Sequence, residues 1–415
     1  MNENFDLLVV GAGVAGITAA VEAAETGVRV ILVEKNPYIG GKVAQFNKYF
    51  PKLCPPSCGL EINIRRLSTN PLIKLFTLAE ISGLSGEPGN YKAEIKLKPR
   101  YVNNQCTSCG DCVAVCPEKR KNDFNYGLDE TTSIYIPFES AHPQKYVIDK
   151  TTCKGSSCNK CVEVCKYNAI DLEQKERDIT VNVKSVIWAT GWEPYDGEKL
   201  DTLGYGKFPD VITNVMIERL AAPDGPTKGK ILRLSTKEGV KSVAFVQCAG
   251  SRDETHLEYC SSVCCMASLK QTRYIREQYP DAEIHIFYID IRSGGLLEDF
   301  YQLVQQDEKV HLHRGKVAKV VESELGNKLI VEAENTLNGK LIQKEVDMVV
   351  LATGMKPSTQ NLLVDKKVID DHGFLGSNGN GTVGCGVVTK PQDVASTVRE
   401  ATGSVLSAIQ IINGN

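Results

Sequence analysis

Fifteen cysteines stand among the 415 residues of this chain, and twelve of them fall into three groups whose spacing suits thiolate–metal chemistry. In the first, Cys106, Cys109, Cys112 and Cys116 are separated by two, two and three residues, and Pro117 follows. In the second, Cys153, Cys158, Cys161 and Cys165 are separated by four, two and three. A cubane iron–sulfur cluster takes four thiolates. Three on a tight loop wrap three of its corners, and the fourth comes from elsewhere. Where two such runs share a module, the last cysteine of each binds the other run's cluster. One four-iron set is then Cys106, Cys109, Cys112 and Cys165, and the other is Cys153, Cys158, Cys161 and Cys116. The second run departs from the pattern in its longer first spacing and in Lys166, which stands where a proline is usual. Structural zinc also uses paired cysteines, but it favours separated pairs over a triple run ending in Cys-Pro.

A nucleotide-binding loop shares the chain with these thiols. Leu7-Leu8-Val9-Val10 reads as a buried parallel strand, Gly11-Ala12-Gly13-Val14-Ala15-Gly16 as the turn, and the alanine-rich stretch through Ala24 as a helix. Gly11 permits the tight turn, Gly13 lets the backbone approach a pyrophosphate, and Gly16 allows close helix–strand packing, with Ala15 beside it. A second strand, Val30-Ile31-Leu32-Val33, ends at Glu34 and Lys35, which places the acid to accept from a ribose hydroxyl. The combination of loop and clusters predicts flavin plus iron–sulfur electron transfer.

The third group is Cys248, Cys260, Cys264 and Cys265. Ser242–Val246 reads as a strand, but Gln247-Cys248-Ala249-Gly250-Ser251-Arg252 follows it without the glycine spacing that a second dinucleotide needs. Cys260 and Cys264, spaced i, i+4, are expected on one helix face. The reading is a third four-thiolate cluster where a nicotinamide would otherwise sit, with inert buried cysteines or reactive thiols as the competing readings. Lys270 follows on the same helix; it either places a cation near the flavin or is simply solvated. The loop with Cys54 and Cys58 is open between a thiol pair beside the flavin and a proline-stiffened turn. The six histidines are scattered, with no metal or triad constellation.

Composition bounds the rest. The chain is 42% hydrophobic and 24% charged, ordinary for a globular protein, and its length suits about two or three domains. A formal charge of −3 predicts no strong attraction to nucleic acid or anionic lipid, and Lys119-Arg120-Lys121 reads as a solvated loop. No apolar run reaches the roughly 18 residues of a membrane span, so any membrane link is expected through a partner. The first residues read as a strand instead of a leader, which places the chain in the cytoplasm, where many cysteines mean metal or redox work. The expected organisation is an α/β Rossmann-like core with an insertion. Residues 1–97 begin the FAD domain, 98–175 form the two-cluster ferredoxin module, and 176–235 return to the FAD domain. Residues 236–345 make a second Rossmann-like unit with the third cluster, and 346–415 complete the first, ending in a helix near Ala395–Ile412.

Gly40-Gly41 and the turns Ala189-Thr190-Gly191 and Ala352-Thr353-Gly354 resemble the flavoprotein disulfide reductase superfamily, which favours FAD over NAD. Thr382–Val387, with Gly386, occupies the place of that superfamily's last flavin motif but lacks its aspartate, so backbone groups are expected to substitute. The cysteine pattern from Cys248 to Cys265, with the ferredoxin insertion and the glycine loop, resembles the heterodisulfide reductase A-subunit family. Gly40–Gln45 and the Cys54-Pro-Pro-Ser-Cys58 loop look most like the flavin subunit of the quinone-interacting membrane-bound oxidoreductase complex. The resemblance implies a thioredoxin-reductase-like core, FAD and three four-iron clusters. It also implies work beside the B and C subunits of such a complex, with iron–sulfur, cysteine-rich or membrane-haem partners; a homodimer is compatible with it. Two other readings stand beside this one: an NAD(P)H-dependent oxidoreductase resembling the glutamate synthase small subunit, and a thiol/disulfide reductase using the third cysteine group.

Overall fold

A strand with no polar side chain belongs in the middle of a sheet covered on both faces. Leu7–Val10 is such a strand. Its Leu7, Leu8 and Val9 are fully buried, and it pairs in parallel with Val30–Glu34 and with Ser185–Trp188. In the computed structural model, which describes residues 3–50, 53–324, 326–376 and 381–414, these belong to a five-stranded parallel sheet. Its order is Thr382–Gly384, Ser185–Trp188, Leu7–Val10, Val30–Glu34, Ile73–Thr77. Alternation decides which residues go where. Leu7 and Val9 pack against the helices Val14–Glu25 and Val394–Ile412, while Leu8 faces a second sheet made of Glu3–Asn4, Arg177–Val183, Asn90–Leu97 and Ala79–Glu87.

The same plan recurs in the second unit. Five parallel strands run in the order Val211–Thr213, Met348–Thr353, Ser242–Ala249, Glu283–Tyr288, Val310–Arg314. Helices Asn214–Ala221, Cys264–Gln278 and Leu297–Gln305 cover one face, and the antiparallel sheet of Val317–Glu322, Leu329–Glu334 and Leu341–Val346 covers the other. The chain enters this unit at Val211, earlier than residue 236, and Met348–Thr353 lies inside its sheet although the sequence reading assigned it to the first unit. A two-stranded ribbon, Trp192–Pro194 with Met355–Pro357, carries both crossings between the units.

The insertion has little regular structure. Helices Asp111–Val115 and Lys160–Val164 and three short strand pairings surround a small core that includes Val102, Cys112, Ile134, Tyr146 and Ile148. Lys119–Lys121 is one of the strands, paired with Glu130–Thr132, which corrects the reading of a solvated loop. Its Arg120 is held by Asp123 at 2.5 Å and Asp149 at 2.7 Å. Among the described residues no helix is long and apolar enough to cross a membrane.

Candidate functional site

The helix Val14–Glu25 starts at Gly13 with no side chain capping its first amides. Four N–H groups at a helix start have no partner within the helix, and together with the dipole they make an anion site. Two glycines make the approach to it. Gly11 sits at φ +101°, where a Cβ would stand 2.4 Å from the Ala189 carbonyl oxygen. At Gly16 a Cβ would fall 1.8 Å from the Gly11 carbonyl, so any side chain there would push the helix off the strand. Above this turn opens a cleft of about 1320 Å³. Gly11, Gly13, Ala15, Glu34, Lys35, Gly41, Thr190, Gly191 and Thr353 line it, whereas Gly16, Gly354 and Gly386 do not. Glu34 is buried; it accepts from the Ala12 N–H at 2.7 Å and from the Asn36 N–H at 2.8 Å, and burial raises its carboxyl above the usual range. Thr382–Val387 itself has no acid, but one reaches it from another element. Glu400, from the C-terminal helix, accepts from the Gly386 N–H at 3.0 Å and from Thr389 Oγ1 at 2.8 Å, while Cys385 is wholly buried. An uncapped helix start, a turn stripped of side chains and a long cleft fit a dinucleotide.

Sequence reasoning missed one wall of this cleft. Arg120, Asp123, Phe124, Tyr126 and Tyr135 of the insertion line it. Gln45 joins the two parts. It donates from Nε2 to the Phe124 carbonyl at 3.0 Å and accepts from the Tyr126 hydroxyl at 2.9 Å. Arg219, 1% exposed, donates to Asn125 Oδ1 at 2.8 Å and to Asp224 at 3.0 Å, and its guanidinium lies 4.6 Å from the Phe124 ring centre. Lys270 also lines the cleft, and it is not solvated. It is 4% exposed, with Nζ 3.0 Å from Glu218 Oε1 and 2.5 Å from the Lys48 carbonyl oxygen. Cys54 is half-buried, and exposed Cys58 lies in the first turn of Pro56–Thr69. Neither lines the cleft, although Tyr49, which receives the field of both thiols, does.

Six of the insertion's eight thiols, Cys106, Cys112, Cys116, Cys153, Cys161 and Cys165, belong to or pack against its small core. Burial pushes Cys112 up to about 12, and the neighbouring Cys106, Cys109 and Cys161 raise it further. Cys161 is raised by burial and then by Cys153 and Cys116. A pocket is lined by Cys116, Cys153, Cys158 and Cys161, the cross-linked set that the spacing implies. Backbone amides donate to two sulfurs, Gly155 N–H to Cys153 at 3.3 Å and Ala169 N–H to Cys165 at 3.4 Å, contacts of the kind that tune cluster potentials. Among the described residues no three His, Cys, Asp or Glu side chains converge on a single-ion site.

In the second unit the strand Ser242–Ala249 shifts register against Met348–Thr353 between Val246 and Ala249, and Cys248 sits there at φ +57°. Arg252 and Ser262 share this left-handed conformation, unusual for residues with side chains and a sign of a backbone shaped for a site. Helix Cys264–Gln278 begins only at Cys264. Cys260 therefore lies in the loop before it and not on a shared helix face, because left-handed Ser262 interrupts the helix. The four thiols still lie near enough to raise one another. Burial and then Cys265, with Cys260 also contributing, raise Cys248 to about 11; buried Cys264 is raised further by Cys265, Cys248 and Cys260. A thiol so desolvated ionises when a metal replaces its proton. Cys264 Sγ lies 3.9 Å from the Thr353 carbonyl oxygen, and both residues line the cleft, so thiol site and cleft share a wall. Gly354 leaves room for the Ser251 and Ser261 hydroxyls that pin this loop.

Three of the histidines, scattered in sequence, lie side by side on neighbouring strands of the second unit. His285 Nδ1 lies 3.1 Å from His313 Nε2, and the rings of His285 and His311 stack at 5.1 Å. Burial holds His285 and His313 down to about 4.

A family model described as FAD dependent oxidoreductase matches residues 6–47, the strand, glycine turn and second strand of the cleft. Among curated proteins, the A subunit of the Ferredoxin/F(420)H(2)-dependent CoB-CoM heterodisulfide reductase of Methanosarcina acetivorans is 42% identical over 85% of this chain and 44% of its own length. The iron-sulfur A subunit of the CoB–CoM heterodisulfide reductase of Methanocaldococcus jannaschii is 37% identical over 97% of the chain and 64% of its own length. The A subunit of the H(2):CoB-CoM heterodisulfide,ferredoxin reductase of Methanothermobacter marburgensis is 38% identical over 98% and 64%. The chain thus spans about half to two thirds of these relatives. Thioredoxin reductases of Lactococcus lactis (TM-score 0.55, 13% identical, 99% and 100% of the two chains) and T. acidophilum (0.53, 15%, 98% and 97%) share its fold. With the glycine turn, the insertion and the Cys248–Cys265 group all present in a chain this similar to these relatives, it belongs to the heterodisulfide reductase A-subunit family.

Proposed function

We propose that this chain is an FAD and iron–sulfur oxidoreductase subunit that passes electrons between protein partners in a complex of heterodisulfide reductase type. The observation that carries the reading is the four-thiol site at Cys248, Cys260, Cys264 and Cys265. It occupies the strand-to-helix turn where a second nucleotide would bind, and it shares Cys264 with the cleft. Bound FAD supplies the exchange between two-electron and one-electron carriers. The residues do the rest. The Gly11–Gly16 turn and the uncapped helix take the pyrophosphate, and Glu34 takes the ribose. Lys270, fixed by Glu218 and the Lys48 carbonyl, presents a cation on the cleft wall. The ferredoxin thiols hold two clusters, and the third set holds a cluster beside the cleft.

The relatives' names combine a heterodisulfide with ferredoxin, H2 or F420H2. Carried to this chain, they support a flavin that distributes electrons to two acceptors, and the quinone-linked resemblance supports a membrane partner as one of them. Distribution of that kind requires the second electron to leave the flavin at a lower potential than the first; redox titration that finds the opposite order rules it out. The main reading is tested by the iron-to-FAD ratio of protein purified without oxygen. About twelve irons per FAD are expected for three four-iron clusters. About eight would return the third cysteine group to thiol chemistry and favour disulfide reduction.

A further inference from the structure

Lysines gather at the second cysteine run of the insertion, whereas the first run holds Asp111 and is followed by Glu118, with Arg100 and Lys119-Arg120-Lys121 just outside it. Residues 150–167, around the second, contain four lysines, at 150, 154, 160 and 166, against the single acid Glu163. This excess stands out on a chain whose formal charge is −3. The lysines also sit at the thiols. Lys154 and Lys160 line the same pocket as Cys116, Cys153, Cys158 and Cys161, and Lys150 Nζ would stand 3.4 Å from a Cβ on Gly155 in the loop between Cys153 and Cys158. Lys160 makes no ion pair among the described residues, while Lys154 and Lys166 make exposed pairs with Glu118 at 2.6 Å and Asp111 at 3.9 Å. The long spacing of the second run inserts the small residues Gly155, Ser156 and Ser157 between Cys153 and Cys158, and Gly155 lines the same pocket as the thiols. Helix Lys160–Val164 buries none of its residues, and Val162 and Tyr167, 38% and 47% exposed, provide an apolar centre inside the lysines.

We propose that this face, Lys150, Lys154, Lys160 and Lys166 around Val162 and Tyr167, is the docking surface for a small acidic one-electron carrier protein that exchanges electrons with the cluster at Cys116, Cys153, Cys158 and Cys161. The proposal rests on the iron–sulfur reading of those four thiols. One electron leaves the reduced carrier and one oxidised cluster gains it; no bond forms or breaks and no proton moves. A small interface with an apolar centre and a charged rim suits a brief encounter steered by charge, since rim charges act chiefly on the association rate.

The test is stopped-flow reduction of the anaerobically purified holoprotein by a small, strongly acidic ferredoxin in its reduced form, with iron and flavin content measured on every sample. The double substitution Lys150→Glu/Lys160→Glu should lower the second-order rate at least about tenfold at low salt, and the wild-type rate should fall steeply between about 0.05 and 0.5 M salt. The exposed pair Lys237→Glu/Lys340→Glu and reduction by dithionite should show neither effect. Rates that ignore salt and Lys150→Glu/Lys160→Glu, with clusters present, overturn the docking surface and leave this face to a permanent partner. An equal loss in the distant pair overturns it too. A wild-type protein without iron overturns the cluster reading on which it rests.

Discussion

Lys270 and Glu218 are 4% and 2% exposed and stand 3.0 Å apart on the cleft wall, and a buried charge that loses its partner is costly. Lys270→Met should lower stability by about 3 to 5 kcal/mol, and Lys270→Met/Glu218→Gln should recover much of it. Urea midpoints of the FAD-loaded proteins check this; an unchanged midpoint for the single variant would mean that solvent already reaches the pair. His285 and His313 act through pH. Burial lowers both from 6.5 to about 4, so in that interval the unfolded chain binds more protons than the folded one and stability rises with pH. The stability is present above about 6.5 and is lost as pH falls towards 4. Urea midpoints at pH 7, 5.5 and 4.5 should therefore decline, and His285→Phe/His313→Phe should flatten the decline. Neither feature could be read from the chain. Glu218 lies 52 residues before Lys270, and the histidines meet only through a register between parallel strands that periodicity does not reveal.

At the scale of elements, the strand, turn and helix of the first unit were legible because period, glycines and acid agree within some 30 residues. The third thiol group was legible from a glycine loop that is missing where the fold needs one. What escaped was short or distant. Val211–Thr213 has three residues, too few to show a period, and the contact of Gln45 with Phe124 spans 79 positions. That contact carries a prediction. Arg219→Met removes charge-assisted hydrogen bonds to Asn125 and Asp224, each worth about 1.5 to 3 kcal/mol, and it loosens the insertion from the cleft. Flavin release, followed by its fluorescence, should quicken at least about tenfold at unchanged iron content, with Arg219→Lys partly restoring the wild-type rate. Unaltered release would show that the insertion does not help retain the flavin.

At the scale of the whole molecule, two parallel-sheet units share one plan, and only the first keeps its nucleotide turn. NADH or NADPH added without a partner protein should leave the flavin absorbance unchanged, because Cys248 occupies the position where the second pyrophosphate would need glycine; bleaching would restore the NAD(P)H reading. The same scale gives Arg219 a wider meaning. It belongs to a helix of the second unit, yet it holds Asn125 of the insertion and reaches the Gln45 carbonyl of the first unit at 3.4 Å. A single guanidinium therefore knots three bodies together, so that, on the proposed function, the spans an electron crosses within the chain are set by the fold and the timing falls to the arrival and departure of partners.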